Sequence, residues 1–356
     1  MSVFHAGFDP SGDVVRVRFE PGARHCIKDE LEVLGCSRAL VLTTPQQEAQ
    51  GTEIADALGN KACGLFANAT MHTPVEVTAE AMKVATDTGA DVVVAIGGGS
   101  TIGLAKAIAY RTDLPQIVVP TTYAGSEATS VLGQMENGTK QTLKSPRVQP
   151  EVVIYDPELV MTLPANMTVT SGLNAMAHAI EALYSQDANP LSNELALAGI
   201  RSFVNGLPDV VKDLRDIQAR TDTLFGSWLC GSVMAQVGMA LHHKLCHTIG
   251  GSLNLPHSKV HAIILPHATA YNEVAAAESL APIAKLLNSN SAAGGLYDFA
   301  KSLDAPRALK DFGVSKIDLD KVADLAVMNP YWNPCSIERE AVRALLGRAW
   351  EGARPE

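Results

Sequence analysis

The chain has 356 residues, of which 47% are hydrophobic and 19% charged; that is enough apolar material for two cores and excludes global disorder. The formal net charge of -10 argues against a nucleic-acid-binding surface, and an anionic ligand would need a locally positive site. No uninterrupted apolar run reaches the length of a membrane span, and MSVFHAGFDPSGD lacks the basic-then-apolar order of a secretory signal, so a cytoplasmic protein with no membrane partner is expected.

In chain order, the first half alternates short β-branched runs with helical patterns. VVRVRF (14–19) alternates in period two. ALVLTT (39–44), KACGLF (61–66), DVVVAIGGGS (91–100), QIVVPTT (116–122) and VVIYDP (152–157) read as further strands. Helices are expected over 23–34, 46–58, 74–88 and 100–110. Apolar strands alternating with amphipathic helices mean a parallel sheet covered on both faces. The segment 131–149 breaks this rhythm, and its Asn137-Gly138 is a hairpin turn signal. After Asp156 strand signals fade. Helices are expected over 168–185, 190–204, 208–213, 217–236, 238–250, 258–269, 276–287, 293–303, 317–326 and 338–349. These patterns divide the chain into an α/β domain, 1–162, and an all-helical domain, 163–356. The six cysteines are scattered with no CxxC pair, as expected of reduced thiols.

Two loops at strand ends carry the ligand chemistry of the first domain. Gly97, Gly98, Gly99 and Ser100 lie between a strand and a helix, where glycine admits close approach of backbone amides to phosphate and the helix start supplies partial positive charge. The next strand runs into PTTYAGSE, placing Thr121, Thr122 and Ser126 at the neighbouring sheet edge, the usual ligand side of such sheets. Together they point to a dinucleotide. At the end of ALVLTT stand Thr43, Thr44 and Pro45 with no acid to hold a ribose 2′-hydroxyl, which leaves both NADH and NADPH open.

The second domain concentrates histidine. Six of the ten histidines fall between His242 and His267. His243 and His247 are four apart, as are Asn174 and His178, so each pair shares a helical face; His257 follows a turn. Imidazole serves two ends, metal ligation and proton transfer near neutral pH.

GGGS opening a helix, PTTYAGSE, YDPEL, SGLNAMAHAIEALYS and CHTIGGSLNLPHSKVHAIILPH occur in this order over about 170 residues and resemble the iron-containing alcohol dehydrogenase superfamily. That resemblance implies a Rossmann-like N-terminal domain binding nicotinamide dinucleotide, an all-α C-terminal domain as in the dehydroquinate synthase-like architecture, and a homodimer. It also implies a divalent metal site of one Asp and three His. The Asp position falls on Asn174, the three His on His178, His243 and His257, and a further histidine tied to proton transfer on His247. An amide in place of the carboxylate removes an anionic hard ligand, so no metal is expected. Gly103 stands where the glycine-loop motif commonly carries Asp.

GGGSTIGLAK, TTYAGSE, SGLNAMAHAIEALYS and NPYWNP are similar to the maleylacetate reductase branch, although Cys335 replaces the Arg expected after the last motif. The implied reaction is NAD(P)H-dependent reduction of the conjugated double bond of maleylacetate to 3-oxoadipate, in the degradation of aromatic compounds. Hydride added β to the ketone gives an enolate, which hydrogen-bond donors can hold without a Lewis acid. His243 is the first candidate for the proton donor, with His178, His247, His257 and Asn174 around it. The substrate is a small dicarboxylate. Lys244 and Tyr331 are candidates to bind it, Lys140, Lys144 and Arg147 are further cations near the hairpin, and Trp332, which could line the cleft beside Tyr331, is expected in the core. The alternatives are a metal-dependent alcohol or polyol dehydrogenase, a lyase of the dehydroquinate synthase type, for which the ligand carboxylate is missing, and a non-catalytic dinucleotide sensor.

Overall fold

The computed structural model describes residues 3–6, 15–136 and 139–355. The chain forms two compact units, Met1–Leu163 and Pro164–Glu356.

The first unit is built on strands β1 (Val3–Ala6), β2 (Val15–Phe19), β3 (Ala39–Leu42), β4 (Ala62–Phe66), β5 (Val92–Gly97), β6 (Gln116–Pro120), β7 (Val131–Glu136), β8 (Thr139–Lys144) and β9 (Val152–Tyr155). Seven of them form one sheet in the order β1-β2-β9-β6-β5-β3-β4. From β2 to β4 every pairing is parallel; β1 adds an antiparallel edge that the sequence patterns did not indicate. Helices α1 (Ile27–Val33), α2 (Glu48–Leu58), α3 (Val75–Thr88), α4 (Gly99–Thr112) and the short α5 (Pro157–Val160) complete the unit.

The side-chain period of two explains why these strands read as unbroken apolar runs. Val92, Val94 and Ile96 of β5 pack with Ile27 and Leu31 of α1 and Ile54 and Leu58 of α2. Val93 and Ala95 pack on the other face with Ala81 and Ala85 of α3 and Ile102 and Ile108 of α4. Both faces are therefore buried, as a parallel sheet requires. The chain leaves β3 toward β4 and leaves β5 toward β6, in opposite directions along the sheet. The switch point lies between the carboxyl ends of β3 and β5, where Rossmann-like sheets bind ligands.

The hairpin expected over 131–149 is present as β7 and β8, paired from Val131↔Lys144 to Glu136↔Thr139. Its Asn137-Gly138 turn and the Lys140 side chain lie outside the described residues.

Glu30 of α1 is sealed from solvent and receives Arg18 Nε at 2.6 Å and Arg16 Nε at 2.9 Å. Burial alone would raise its carboxyl; hydrogen bonds from the two guanidinium groups outweigh burial and hold it below the ordinary carboxylate value. A depressed carboxyl contributes stability that is present above about pH 4.3 and lost as pH falls through the folded value. The stability gap between the wild type and Glu30→Gln, read by urea unfolding, is therefore expected to be largest near neutrality and to close in acid. A gap that widens in acid would contradict this sign.

The second unit contains α6 (Ala165–Leu183), α7 (Pro190–Lys212), α8 (Ile217–Gln236), α9 (Leu241–Leu253), α10 (His257–Asn272), α11 (Ala277–Leu286), α12 (Ala292–Ser302), α13 (Lys316–Met328) and α14 (Arg339–Glu351), with no strand among the described residues. The separate helices expected over 190–204 and 208–213 are one helix, α7, running through Pro208. Proline removes one N–H from the ladder, but Phe203, Leu207 and Val210 are fully buried on either side, and their packing carries the helix across. One core gathers α9, α10, α13 and α14 through Leu245, Ile249, Ile263, Val322, Leu345 and neighbours. No single described helix is long and apolar enough to cross a membrane.

Candidate active site

The first unit presents a phosphate cradle where β5 meets α4. Gly98 is extended and precedes the first turn of α4, whose start carries no side-chain cap. Those amides are an anion-binding site in form. Two of the glycines are required by their neighbours. A Cβ on Gly97 would lie 2.3 Å from Thr101 Oγ1, and one on Gly98 would lie 2.8 Å from Thr122 Oγ1. Gly99 faces open space, and Ser100 beside it is half-buried. The hydroxyls of Thr43, Thr101 and Ser126 are buried with no hydrogen-bond partner, as polar groups awaiting a ligand would be. Thr43 ends β3 and Gly97 ends β5, so the two flank the switch point. These residues fit a nicotinamide dinucleotide.

The loop after β6 is held from two sides. Gln47 Nε2 donates to Thr121 Oγ1 at 2.8 Å, and Thr121 N donates to the Gly97 carbonyl at 3.0 Å. Lys106 of α4 is wholly buried. Its Nζ donates to the carbonyls of Ser126 at 2.6 Å, Thr129 at 2.5 Å and Val131 at 3.1 Å. Burial pushes the Lys106 ammonium down to about 7 and the Glu127 carboxyl up to about 7. Tyr155 donates to Glu127 Oε1 at 3.2 Å. Neither Gln47 nor Lys106 was singled out from sequence. For Lys106 the signal was available, since a lysine inside the apolar run GLAKAIA has to find acceptors indoors.

The second unit brings together the histidines. Asn174, His178 and Glu181 sit four and three residues apart along α6 and are 5%, 3% and 0% exposed. They form one stripe. His243 of α9 stacks on His178, with ring centroids 5.0 Å apart and planes inclined by 28°. His243 Nδ1 meets Glu181 Oε2 at 2.7 Å. The same carboxylate accepts the Ala240 amide at 2.7 Å and the His242 amide at 2.6 Å. Asn174 Oδ1, His178 Nδ1 and His243 Nε2 are left buried without a partner.

His247 lies one turn further along α9, its ring 6.0 Å from that of His243 and 5.9 Å from that of His257 on α10. His247 Nδ1 is 3.0 Å from the Tyr331 hydroxyl, and Lys244 Nζ lies 5.8 Å from the Tyr331 ring centre. All five proposed catalytic positions and both substrate candidates thus belong to one region of the second unit. Tyr331 and Trp332 also line a cavity of about 320 Å³ with Ser185, Gln186, Gly238 and Met239. Trp332 is 41% exposed and stands at this cavity, which corrects the expectation that it packs in the core. Lys144 and Arg147 are exposed in the first unit, and Arg147 pairs with Asp113 at 3.4 Å.

Sequence reasoning missed two further histidines and Glu181. His242 Nε2 and His261 Nδ1 hydrogen-bond at 2.9 Å beside Cys246 Sγ, 3.6 Å from His242 Nε2. His178, His242 and His261 are each driven well below the ordinary histidine value, by burial first and by neighbouring histidines second. Glu181 is not among the sequence-derived site residues. Its oxygens are taken up by two amides and one imidazole. The donors that remain at the superfamily's metal positions are an amide oxygen and imidazoles, with no carboxylate among them. Such a set lacks the hard anionic ligand that the superfamily's Asp supplies, and is a poorer site for a divalent iron ion than the full set of one Asp and three His.

Comparison with known proteins agrees with this architecture. The family model for iron-containing alcohol dehydrogenase matches residues 15–157, and that for the C-terminal part of the Fe-containing alcohol dehydrogenase family matches 168–350. The chain is 54% identical over 341 residues to a maleylacetate reductase of Rhizobium sp. (strain MTP-10005), covering 96% of this chain and 97% of the relative. It is 49% identical over 342 residues to one of Burkholderia cepacia, with coverage of 96% and 97%. The crystal structure of maleylacetate reductase from Agrobacterium tumefaciens superposes with a TM-score of 0.93 at 53% identity, over 100% of both chains.

Proposed function

The chain belongs to the iron-containing alcohol dehydrogenase family and is an oxidoreductase, and from this premise we propose that it reduces the conjugated double bond of maleylacetate to 3-oxoadipate without a metal ion. The observation that supports the metal-free part is the donor set at Asn174, His178 and His243, which includes no carboxylate, with Glu181 beside it committed to two amides and an imidazole.

Bound NADH or NADPH supplies the hydride. The chain's residues do the rest. The amides of the first turn of α4, with Thr43, Thr101 and Ser126, hold the dinucleotide. Addition β to the ketone leaves an enolate, and Asn174 and His178 orient the substrate by hydrogen bonds to its oxygens. His243 gives the α-carbon its proton through Nε2. Lys244 and Tyr331, with His247 and His257, bind the carboxylates, the only strongly anionic parts of the ground state.

The test is NADH and NADPH consumption with maleylacetate after exhaustive EDTA treatment, with metal content assayed on the same sample. Full activity at negligible metal is the expected result. Activity that returns only with Fe²⁺ or Zn²⁺ would give precedence to a metal-dependent alcohol dehydrogenase in which Asn174 serves as a ligand.

A further inference from the structure

Glu181 makes three contacts of 2.6–2.7 Å, and their chemistry determines where a proton sits. Two of the donors are the backbone amides of Ala240 and His242, which can only donate. Both carboxylate oxygens are thereby acceptors: Oε2 receives Ala240, and Oε1 receives His242. The third contact, Oε2 to His243 Nδ1, is then a hydrogen bond only if Nδ1 carries the hydrogen. His243 Nε2 is left as the ring atom that exchanges a proton with a ligand, and it is buried with no partner in the protein. Stacking on His178 restricts the ring further.

We infer that Glu181 is the positioning residue of proton transfer: it fixes His243 as the Nδ1–H tautomer so that Nε2 alone serves the substrate. This rests on the reduction proposed above. In that reaction hydride forms a C–H bond at the carbon β to the ketone, and the alkene π pair moves to give the enolate. The Nε2–H bond of the imidazolium then breaks, its proton forms the C–H bond at the α-carbon, and the ketone returns. His243 is left neutral with its hydrogen still on Nδ1 against Glu181, and solvent restores the proton on Nε2. Glu181 gains and loses nothing.

The substitution that tests this role is Glu181→Gln. A glutamine has one accepting oxygen: with its NH₂ in the Oε2 place it faces both the Ala240 amide and Nδ1, and with its oxygen there the NH₂ faces the His242 amide, so in either orientation Nδ1 loses its anionic acceptor and one amide loses its partner. The expected result is a kcat lower by about 10²-fold, the KM values for maleylacetate and NADH within about twofold, and a larger D₂O isotope effect on kcat. Glu181→Asp, which keeps an accepting carboxylate, is expected to recover part of the loss. Histidine ¹⁵N spectra of the wild type, assigned with His243→Gln, should show His243 protonated on Nδ1. They decide the tautomer even if every Glu181 variant fails to fold. A wild-type His243 with hydrogen on Nε2 and none on Nδ1, or Glu181→Gln turnover equal to wild type, would overturn the inference. So would losses in kcat and KM that follow a fall in melting temperature with an unchanged isotope effect. A wild type that leaves NADH unconsumed with maleylacetate would instead remove the proposed reaction, while the spectra still report the tautomer.

Discussion

Replacing His243 with alanine is expected to lower kcat for maleylacetate reduction by about 10²–10⁴-fold, the range for loss of a positioned proton donor. The KM for substrate should move far less, because the ring's part is in the step after hydride addition. Three observations single out His243 among the clustered histidines: a carboxylate on Nδ1, an unpartnered Nε2, and a stacked ring that leaves one orientation. His178, His242 and His261 are neutral by burial, and a neutral imidazole is a poor acid. His247 and His257 are half-buried at the periphery of the cluster, so His247→Ala and His257→Ala should act mainly on KM. Because His243 is buried, the melting temperature of each variant must be measured alongside the kinetics. Added imidazole, which can enter the space vacated in His243→Ala, is expected to restore part of kcat. Undiminished turnover in His243→Ala would remove it from the mechanism.

The second large effect concerns Gly103, where the superfamily motif commonly carries Asp. A Cβ at this position would stand 2.3 Å from Thr73 Oγ1. Thr73 has little freedom to retreat. It is 4% exposed and held at a φ of 48°, a left-handed conformation that β-branched residues avoid, next to His72 at 67°. Its carbonyl and that of His72 lie against the amide of Met135 in β7. Gly103→Asp adds both a clash and a confined carboxylate, and is expected to cost about 2–4 kcal/mol by denaturant unfolding. Adding Thr73→Gly clears the space and relaxes the positive φ, so the double variant should regain at least half of the loss. Gly103→Asp within about 0.5 kcal/mol of the wild type would show that Thr73 yields easily.

How much of this was legible in the residues depends on the range of the physics involved. The strands β3, β5 and β6 could be read because a strand buried on both faces is apolar at every position, a local signal. The edge strand β1 has four residues and no such signal. The break expected before Pro208 followed the local cost of proline, which distant packing by Phe203 and Leu207 overrides. In the site, helical spacing grouped Asn174 with His178 and His243 with His247. The role of Glu181 was invisible, because its partners at 240, 242 and 243 lie about sixty residues away and two of them are backbone amides, which leave no trace in side-chain identity. For Lys106 the apolar run GLAKAIA announces a buried cation, but its acceptors, mainly carbonyls, are as silent as those amides.

The shared carboxylate has one more consequence. Ala240 and His242 contribute the amides at the very start of α9, which no side chain of its own caps. Glu181 thus fastens that helix, together with Asn333 Oδ1, which receives the Leu241 amide at 3.3 Å, and is also the partner of the ring the helix carries. Fraying of the first turn and misalignment of His243 become a single cooperative event, and the site has no half-assembled state in which the helix has loosened while the chemistry persists. The slowness with which the His242 amide exchanges its hydrogen with solvent would then measure, in one number, how rarely the protein disarms itself.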